Sequence, residues 1–283
     1  MFAAMKSLLD DASRRQYALL AINCFNLETA RATMRATEQQ RAPVILNLYQ
    51  GHCGHLPPRV AVPLVRALAE DAAVPVTLSL DHGSDSTLIW QAFRAGFGGL
   101  MIDASSQPLA ENIRQTRQVV QLAATDGVCV EGELGHIADA PVYQVADARQ
   151  MMTAVADVEP FLRQTGIDLL AVSVGTAHGL YPAGVTPEVD FERLEAIHSA
   201  SSVPLALHGG SGTRPEDIRR VSQYGVAKIN VGVAVAQAGK TALQEGLRQH
   251  PEVELAELLQ LMESACQEVV AEYLGWSGSA HKA

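Results

Sequence analysis

The chain has 283 residues, of which 48% are hydrophobic and 18% charged, a composition typical of a globular protein with a large buried core. The formal net charge of −10, with no cluster of lysine and arginine to offset it, argues against nonspecific binding to nucleic acid. No apolar run reaches the roughly eighteen residues of a membrane span, so no membrane partner is expected.

The N-terminal stretch MFAAMKSLLDDASRRQ lacks the apolar core of a signal peptide and predicts an amphipathic helix. The cysteines are scattered and form no CxxC pair, which favours free thiols in a reducing compartment. We therefore expect a cytoplasmic protein.

Short apolar segments rich in β-branched residues, each bounded by turn residues, predict eight strands. Stretches with helical periodicity lie between them, and this alternation predicts parallel strands joined by helical crossovers. The predicted strands span residues 17–25, 43–49, 74–80, 99–103, 128–134, 169–176, 203–209 and 227–233.

Eight such units in a chain of this length predict an α/β fold of the (β/α)8 TIM-barrel type, one domain over residues 1–283. The strong helical signal after about residue 236 predicts the eighth helix and an extra C-terminal helix. The main alternative is an open doubly wound sheet, but its usual GxGxxG turn after the first strand is missing.

Polar side chains gather at the predicted C-terminal ends of the strands, where barrel enzymes place their active sites. Asp81 and His82 end the third strand, His178 the sixth and His208 the seventh. Each histidine alone is more often a hydrogen-bonded structural residue, but three on one rim suit a catalytic zinc ion with an open coordination position. The same rim receives Asn23, Asn26, Asp103, Ser105, Glu131, Glu133 and Asn230.

Two further motifs follow strands. His52 and His55 flank Cys53 in GHCGH, where a second metal is conceivable but a loop over the pocket is the favoured interpretation. The glycines of the LHGGSG stretch, ahead of the PEDIRR helix, predict a phosphate-binding loop, although tight turns also need glycine.

Taken together, these stretches resemble the class II, metal-dependent ketose-bisphosphate aldolases, and most closely the tagatose-bisphosphate aldolase branch. The resemblance runs from about residue 20 to 235, and DHG, GTAHGLY and LHGGSG in this order form its most specific part. The matching stretches are NCFNLETA, PVIL, LSLDHGSD, MIDASSQPLAENI, VEGELGHI, AVSVGTAHGLYP, VDFERL, LALHGGSG and KINV.

The resemblance implies a zinc-dependent, reversible aldol cleavage. A ketose (bis)phosphate such as tagatose or fructose 1,6-bisphosphate would split into dihydroxyacetone phosphate and an aldehyde. The resemblance also implies a Zn²⁺ cofactor, a monovalent cation (Na⁺ or K⁺) near the phosphate, and a homodimer or homotetramer.

The resemblance assigns roles to individual residues. His82, His178 and His208 would bind the zinc, and Asp81 would move the proton of the substrate's C4 hydroxyl. Glu133 and Asp139 are the further catalytic candidates. Relatives carry acidic residues for proton exchange in the loop after the fifth strand, and Asp139 is the only nearby acid in this loop here. The substrate-binding candidates are Asn23, Gly179, Gly209, Gly210, Ser211, Asn230, Gly232 and Val233.

Departures from the family pattern fall on phosphate binding. Pro182 and Ala183 replace a lysine or a Ser-Lys pair, Val233 replaces a threonine, and Tyr49 replaces a serine or threonine. Each lost polar contact to a phosphate would cost about 1.5–3 kcal/mol. The alternatives are therefore an aldolase for a less phosphorylated sugar or a sugar acid, a catalytically silent sugar-phosphate-binding barrel, and a metal-dependent isomerase or epimerase.

Overall fold

The computed structural model describes residues 2–137, 151–179, 181 and 185–283. Its strands are all parallel and close into a barrel in which each strand pairs with the next along the chain, and the last with the first. The predicted TIM-barrel fold is confirmed. The strands are β1 Leu19–Asn23, β2 Val44–Tyr49, β3 Val76–Gly83, β4 Gly99–Ile102, β5 Cys129–Leu134, β6 Leu169–Val172, β7 Leu205–Leu207 and β8 Val226–Val231.

Helices alternate with these strands and cover the outside of the barrel. None of the described helices combines the length and the apolar character needed to cross a membrane. The helices are α1 Met5–Arg15, α2 Leu27–Gln40, α3 Pro58–Glu70, α4 Ser86–Ala95, α5 Leu109–Ala123, α6 Val155–Thr165, α7 Phe191–Ala200, α8 Pro215–Val221, α9 Val233–Gln249 and α10 Leu255–Ser277.

The N-terminal helix α1 closes one end of the barrel. Its apolar face, with Met5, Leu8 and Leu9, is buried against inward-facing residues from the beginnings of the strands, such as Leu19 and Ile45. This amphipathic helix was predicted from the sequence, and it leaves the carboxyl ends of the strands as the open end.

The C-terminal helix α10 is the predicted extra helix. Met262, Cys266, Val270 and Leu274 recur every four residues and form one buried stripe. This stripe packs α10 against α9 and α2. Helix α10 therefore belongs to the outer layer of the barrel.

The strand boundaries differ from the predicted ones where they matter for the site. β3 extends to Gly83, so Asp81 and His82 lie within the strand, whereas β6 ends at Val172 and leaves His178 on the following loop. Asn26 follows β1 at this end of the barrel and caps α2, because its side chain accepts a hydrogen bond from the Thr29 N–H at 3.0 Å.

Candidate active site

The end of β3 turns the His82 side chain toward the barrel axis. The pairing with β4 shifts in register between Leu80 and Gly83, and His82 has a left-handed backbone with φ of +53°. A Cβ at Gly83 would lie 2.6 Å from the Met101 carbonyl oxygen, so only glycine allows this close pairing. Such irregularities re-aim side chains next to functional sites.

The three predicted histidines meet at the open end of the barrel. His82 Nε2 lies 2.9 Å from His208 Nδ1. The His178 ring centroid lies 4.5 Å from that of His82 and 5.7 Å from that of His208. One nitrogen from each ring can be chosen so that all three lie within 4.8 Å of one another.

Carboxylates hold the outer nitrogens of two of these rings. His82 Nδ1 lies 2.8 Å from Asp103 Oδ2, and His208 Nε2 lies 2.8 Å from Glu131 Oε1. An outer nitrogen that donates its proton to a carboxylate leaves the inner nitrogen with a lone pair. Two lone pairs 2.9 Å apart would repel, so a proton or a metal ion has to lie between them.

The electrostatics of the cluster agree with a bound cation. Burial lowers the pKa of His82, but Asp81 and Asp103 outweigh burial and raise it to about 9. Burial lowers the pKa of His208, so this ring is neutral. Burial and the charge of His82 likewise lower the pKa of His178 to about 3.

The donor set fits a zinc ion. His178 Nε2 is buried and has no hydrogen-bond partner among the described residues, which is the state of a ligand atom aimed at an ion. Three imidazoles, two of them with outer nitrogens held by carboxylates, suit a catalytic zinc site. A second group that could hold an ion combines His82 with Asp103 and Glu133, but there His82 Nδ1 already contacts Asp103.

Asp81 stands beside the histidines and is held by two amides. Asn230 Nδ2 donates to Asp81 Oδ1 at 2.8 Å, and Asn23 Nδ2 donates to Asp81 Oδ2 at 3.0 Å. Oδ1 lies 3.9 Å from His82 Nε2. Burial raises the pKa of Asp81, but nearby cationic groups, His82 foremost, outweigh it and hold the pKa below its usual range. Asp81 is thus an ionised, oriented carboxylate able to accept a proton.

The two glutamates of β5 both point into the barrel. Glu131 forms a buried ion pair with Lys228 of β8. Glu133 Oε2 lies 3.7 Å from His82 Nδ1 and lacks a hydrogen-bond partner in the described part of the chain. Burial and the neighbouring Asp103 raise the pKa of Glu133 to about 8.

A cavity of about 430 Å³ opens above the histidines. Seven of the eight substrate-binding candidates line it, and Gly210 does not. A Cβ at Gly210 would lie 2.7 Å from the Asn230 carbonyl oxygen, so Gly210 is needed for packing. The seven are Asn23, Gly179, Gly209, Ser211, Asn230, Gly232 and Val233.

Other lining residues were not among the predicted site residues. Phe25, Gln50, His136 and Ile137 line the cavity. Asp103, which was expected on the rim, Tyr49, and His52 of the motif expected to form a loop over the pocket also line it. His52 and His55 take part in no candidate metal group among the described residues. Asp139, Pro182 and Ala183 lie outside the described residues.

The family model for "Fructose-bisphosphate aldolase class-II" matches residues 3–282. The crystal structure of the YdjI aldolase from Escherichia coli K12 is 31% identical, with a TM-score of 0.89 over 100% of both chains. A putative fructose-1,6-bisphosphate aldolase from Coccidioides immitis is 30% identical, with a TM-score of 0.87 over 99% of this chain and 97% of that one.

A fructose-bisphosphate aldolase from Campylobacter jejuni, 20% identical, has the same fold, with a TM-score of 0.84 over 100% of this chain and 97% of that chain. The resemblance stated from the sequence motifs is therefore confirmed. The protein belongs to the class II fructose-bisphosphate aldolase family and is an aldolase, a carbon–carbon lyase.

Proposed function

We propose that the protein catalyses the zinc-dependent, reversible aldol cleavage of a ketose phosphate to dihydroxyacetone phosphate and an aldehyde. The observation that carries this proposal is the meeting of His82, His178 and His208, with the amide-held carboxylate of Asp81 3.9 Å from His82 Nε2. A zinc ion held by these three rings would supply Lewis-acid polarisation of the substrate's ketone oxygen.

Asp81 is the proposed general base of cleavage. Its carboxylate accepts the proton of the C4 hydroxyl while the bond between C3 and C4 breaks, so that C4 leaves as the aldehyde carbon. The electron pair of that bond remains on the three-carbon donor, next to its ketone. Asn23 and Asn230 hold both carboxylate oxygens and so orient the lone pair that receives the proton.

The donor half needs a proton at its C3 carbon before release. Glu133 is one proposed source, because its Oε2 lies close to His82 and accepts no hydrogen bond in the described part of the chain. Asp139 is the other, as the family resemblance suggests. These two acids are the proposed proton-exchange residues, in addition to Asp81.

The glycine-rich side of the cavity is the proposed site of the donor phosphate. Gly209 and Ser211 follow β7, and Gly232 stands at the start of α9, whose N-terminal dipole favours an anion. Ser211 Oγ accepts hydrogen bonds from the N–H groups of Gly232 at 3.3 Å and Ala234 at 3.1 Å, which fixes the loop to the helix. Gly179 and Val233 complete this side.

We further propose a single domain over residues 1–283, a monovalent cation near the donor phosphate, a homodimer or homotetramer, and a cytoplasmic location. These features follow from the family resemblance and from the sequence composition. Analytical ultracentrifugation would measure the number of subunits.

The test is a panel of ketose mono- and bisphosphates, assayed with protein of measured zinc content, with and without a chelator. We expect about one zinc per chain, cleavage of at least one ketose phosphate, loss of activity on chelation and recovery on adding zinc. Asp81→Ala should retain zinc and lose activity by about 10²–10⁴-fold. The proposal is wrong if no ketose phosphate is cleaved and chelation changes nothing.

An isomerase or epimerase could use the same zinc site. The Asp81 carboxylate, held by Asn23 and Asn230 beside the histidines, favours the lyase, because cleavage needs a base at the C4 hydroxyl. Product identification by NMR separates these reactions, since only a lyase gives two smaller products. A silent barrel would give no product from any substrate of the panel.

A further inference from the structure

Three rings form one side of the cavity, which we call the aromatic wall: Phe25, Tyr49 and His52. The His52 ring centroid lies 5.2 Å from that of Phe25 and 5.4 Å from that of Tyr49, both edge to face. Tyr49 in turn lies edge to face with His82, at 6.2 Å between centroids. The wall therefore reaches from the cavity edge down to the histidine cluster.

The aromatic wall borders the half of the substrate that leaves as the aldehyde. Tyr49 of β2 is paired in register with Asp81 of β3, and Asp81 acts on the hydroxyl of the carbon that becomes the aldehyde. The proposed donor-phosphate side, in contrast, is built by loops after β6, β7 and β8. The two halves of the substrate thus meet chemically different surfaces.

No lysine or arginine lines the cavity in the part of the chain that the structure describes. The buried Lys228 ammonium is engaged by the Glu131 carboxylate. Burial lowers the pKa of His52, so this ring carries no charge near neutral pH. Asp81 and Asp103 also line the cavity and bring two carboxyl groups to it.

A phosphate on the aldehyde half would therefore be desolvated against uncharged rings and close to the carboxylate of Asp81. Burial of a phosphate without a cationic partner is costly, and a carboxylate beside it adds like-charge repulsion. Hydroxyl groups have no such penalty, since an imidazole and a phenol both exchange hydrogen bonds with them.

We propose that the aldehyde product is an unphosphorylated polyhydroxy aldehyde, so that the substrate is a ketose 1-phosphate, with Tyr49 and His52 as specificity-determining residues. This inference rests on the proposed aldolase function and narrows its substrate class. The single phosphate of the substrate belongs to the donor half, on the glycine-rich side of the cavity.

The experiment runs the reaction in the condensation direction, with dihydroxyacetone phosphate and zinc-loaded protein. Glyceraldehyde and erythrose are each offered with and without a terminal phosphate. We expect kcat/KM for the unphosphorylated aldehydes to be at least about tenfold higher. Equal or higher kcat/KM for the phosphorylated aldehydes overturns the inference.

A cation placed in the aromatic wall should weaken the preference for unphosphorylated aldehydes. Tyr49 is 37% exposed, so an arginine there keeps its guanidinium in contact with water. Compared with the uncharged Tyr49→Gln, Tyr49→Arg should raise kcat/KM for the phosphorylated aldehydes at least about fivefold. Leu247→Arg on the exposed face of α9 controls for a general gain of positive charge. An equal gain in Leu247→Arg contradicts a role for position 49.

Hydrogen exchange separates this inference from the function on which it rests. Deprotonation of dihydroxyacetone phosphate needs no aldehyde, and NMR in D₂O measures the deuterium that it incorporates. If exchange occurs, the aldehyde preference alone decides the inference, and failure to consume any unphosphorylated aldehyde overturns it. If zinc-loaded protein shows neither exchange nor cleavage, the proposed function fails and the inference fails with it.

Discussion

Lys228 and Glu131 form a buried ion pair across the inside of the barrel, and the other oxygen of Glu131 accepts the hydrogen bond of His208 Nε2 at 2.8 Å. The ammonium thus compensates the carboxylate that orients a proposed zinc ligand. A charge pair in the core is costly to desolvate, so a positioning role would account for its presence.

We predict that Lys228→Met weakens zinc binding about 10–100-fold, because Glu131 loses the partner that holds it against His208. Competition with a fluorescent chelator measures this affinity. The same variant should lose about 3–5 kcal/mol of unfolding free energy, since Glu131 is left buried without compensation. Lys240→Met, on an exposed position of α9, should change neither quantity.

A double variant separates the two effects. Lys228→Met with Glu131→Gln removes both charges, so most of the unfolding free energy should return, whereas the zinc affinity should stay low. Full recovery of zinc affinity in the double variant would show that the pair serves stability alone.

Zinc should raise the thermal unfolding midpoint of metal-stripped protein, because an ion that binds only the folded state stabilises it by about 2.7 kcal/mol at one hundred times its dissociation constant. His178→Asn should abolish most of this rise, since it removes one of three ligands. His250→Asn, at an exposed position beyond α9, should behave as the wild type. Differential scanning calorimetry at several zinc concentrations provides the measurement.

The loop after β7 should tolerate no side chain at Gly209. Its φ is +69°, and a Cβ there would lie 2.4 Å from the Ala177 carbonyl oxygen. Gly209→Ala should cost at least about 1–3 kcal/mol of unfolding free energy. Gly54→Ala, where a Cβ would meet nothing within 4 Å, should be close to neutral in urea unfolding. Equal losses in the two variants would contradict the close packing of this loop.

Helix α10 should contribute strongly to stability. Leu274 is fully buried in the stripe that faces α9 and α2, so Leu274→Ala should cost about 2–5 kcal/mol. Leu255 begins the same helix but is 69% exposed, and Leu255→Ala should change the unfolding free energy by less than about 0.5 kcal/mol. A small effect of Leu274→Ala would mean that α10 does not unfold together with the barrel.

Much of the barrel was predictable because strands and helices differ in hydrophobic period. The strand period also predicts where the Lys228 side chain points. Residues two apart in a strand share a face, and Asn230 points into the cavity, so Lys228 points into the barrel as well. The same reasoning puts Glu131 and Glu133 on one face of β5.

Other parts of the site could not be predicted from hydrophobic period. The re-aimed His82 depends on a register shift, and His52 enters the cavity from a 3₁₀ turn at Gln50–His52. Backbone irregularities of this kind arise from tertiary packing and leave no periodic signal. Asp103 was placed on the rim correctly, but its contact with His82 depends on the side-chain geometry of two strands.

Helix α1 closes the barrel at the end opposite the cavity. Met5 Sδ lies so close to Gly99 that a Cβ there would clash with it, which shows how tightly the bottom is sealed. The substrate has to arrive, and both fragments have to depart, through the same mouth. Substrate entry and product release through that opening, in addition to bond breaking, can therefore limit the rate of turnover.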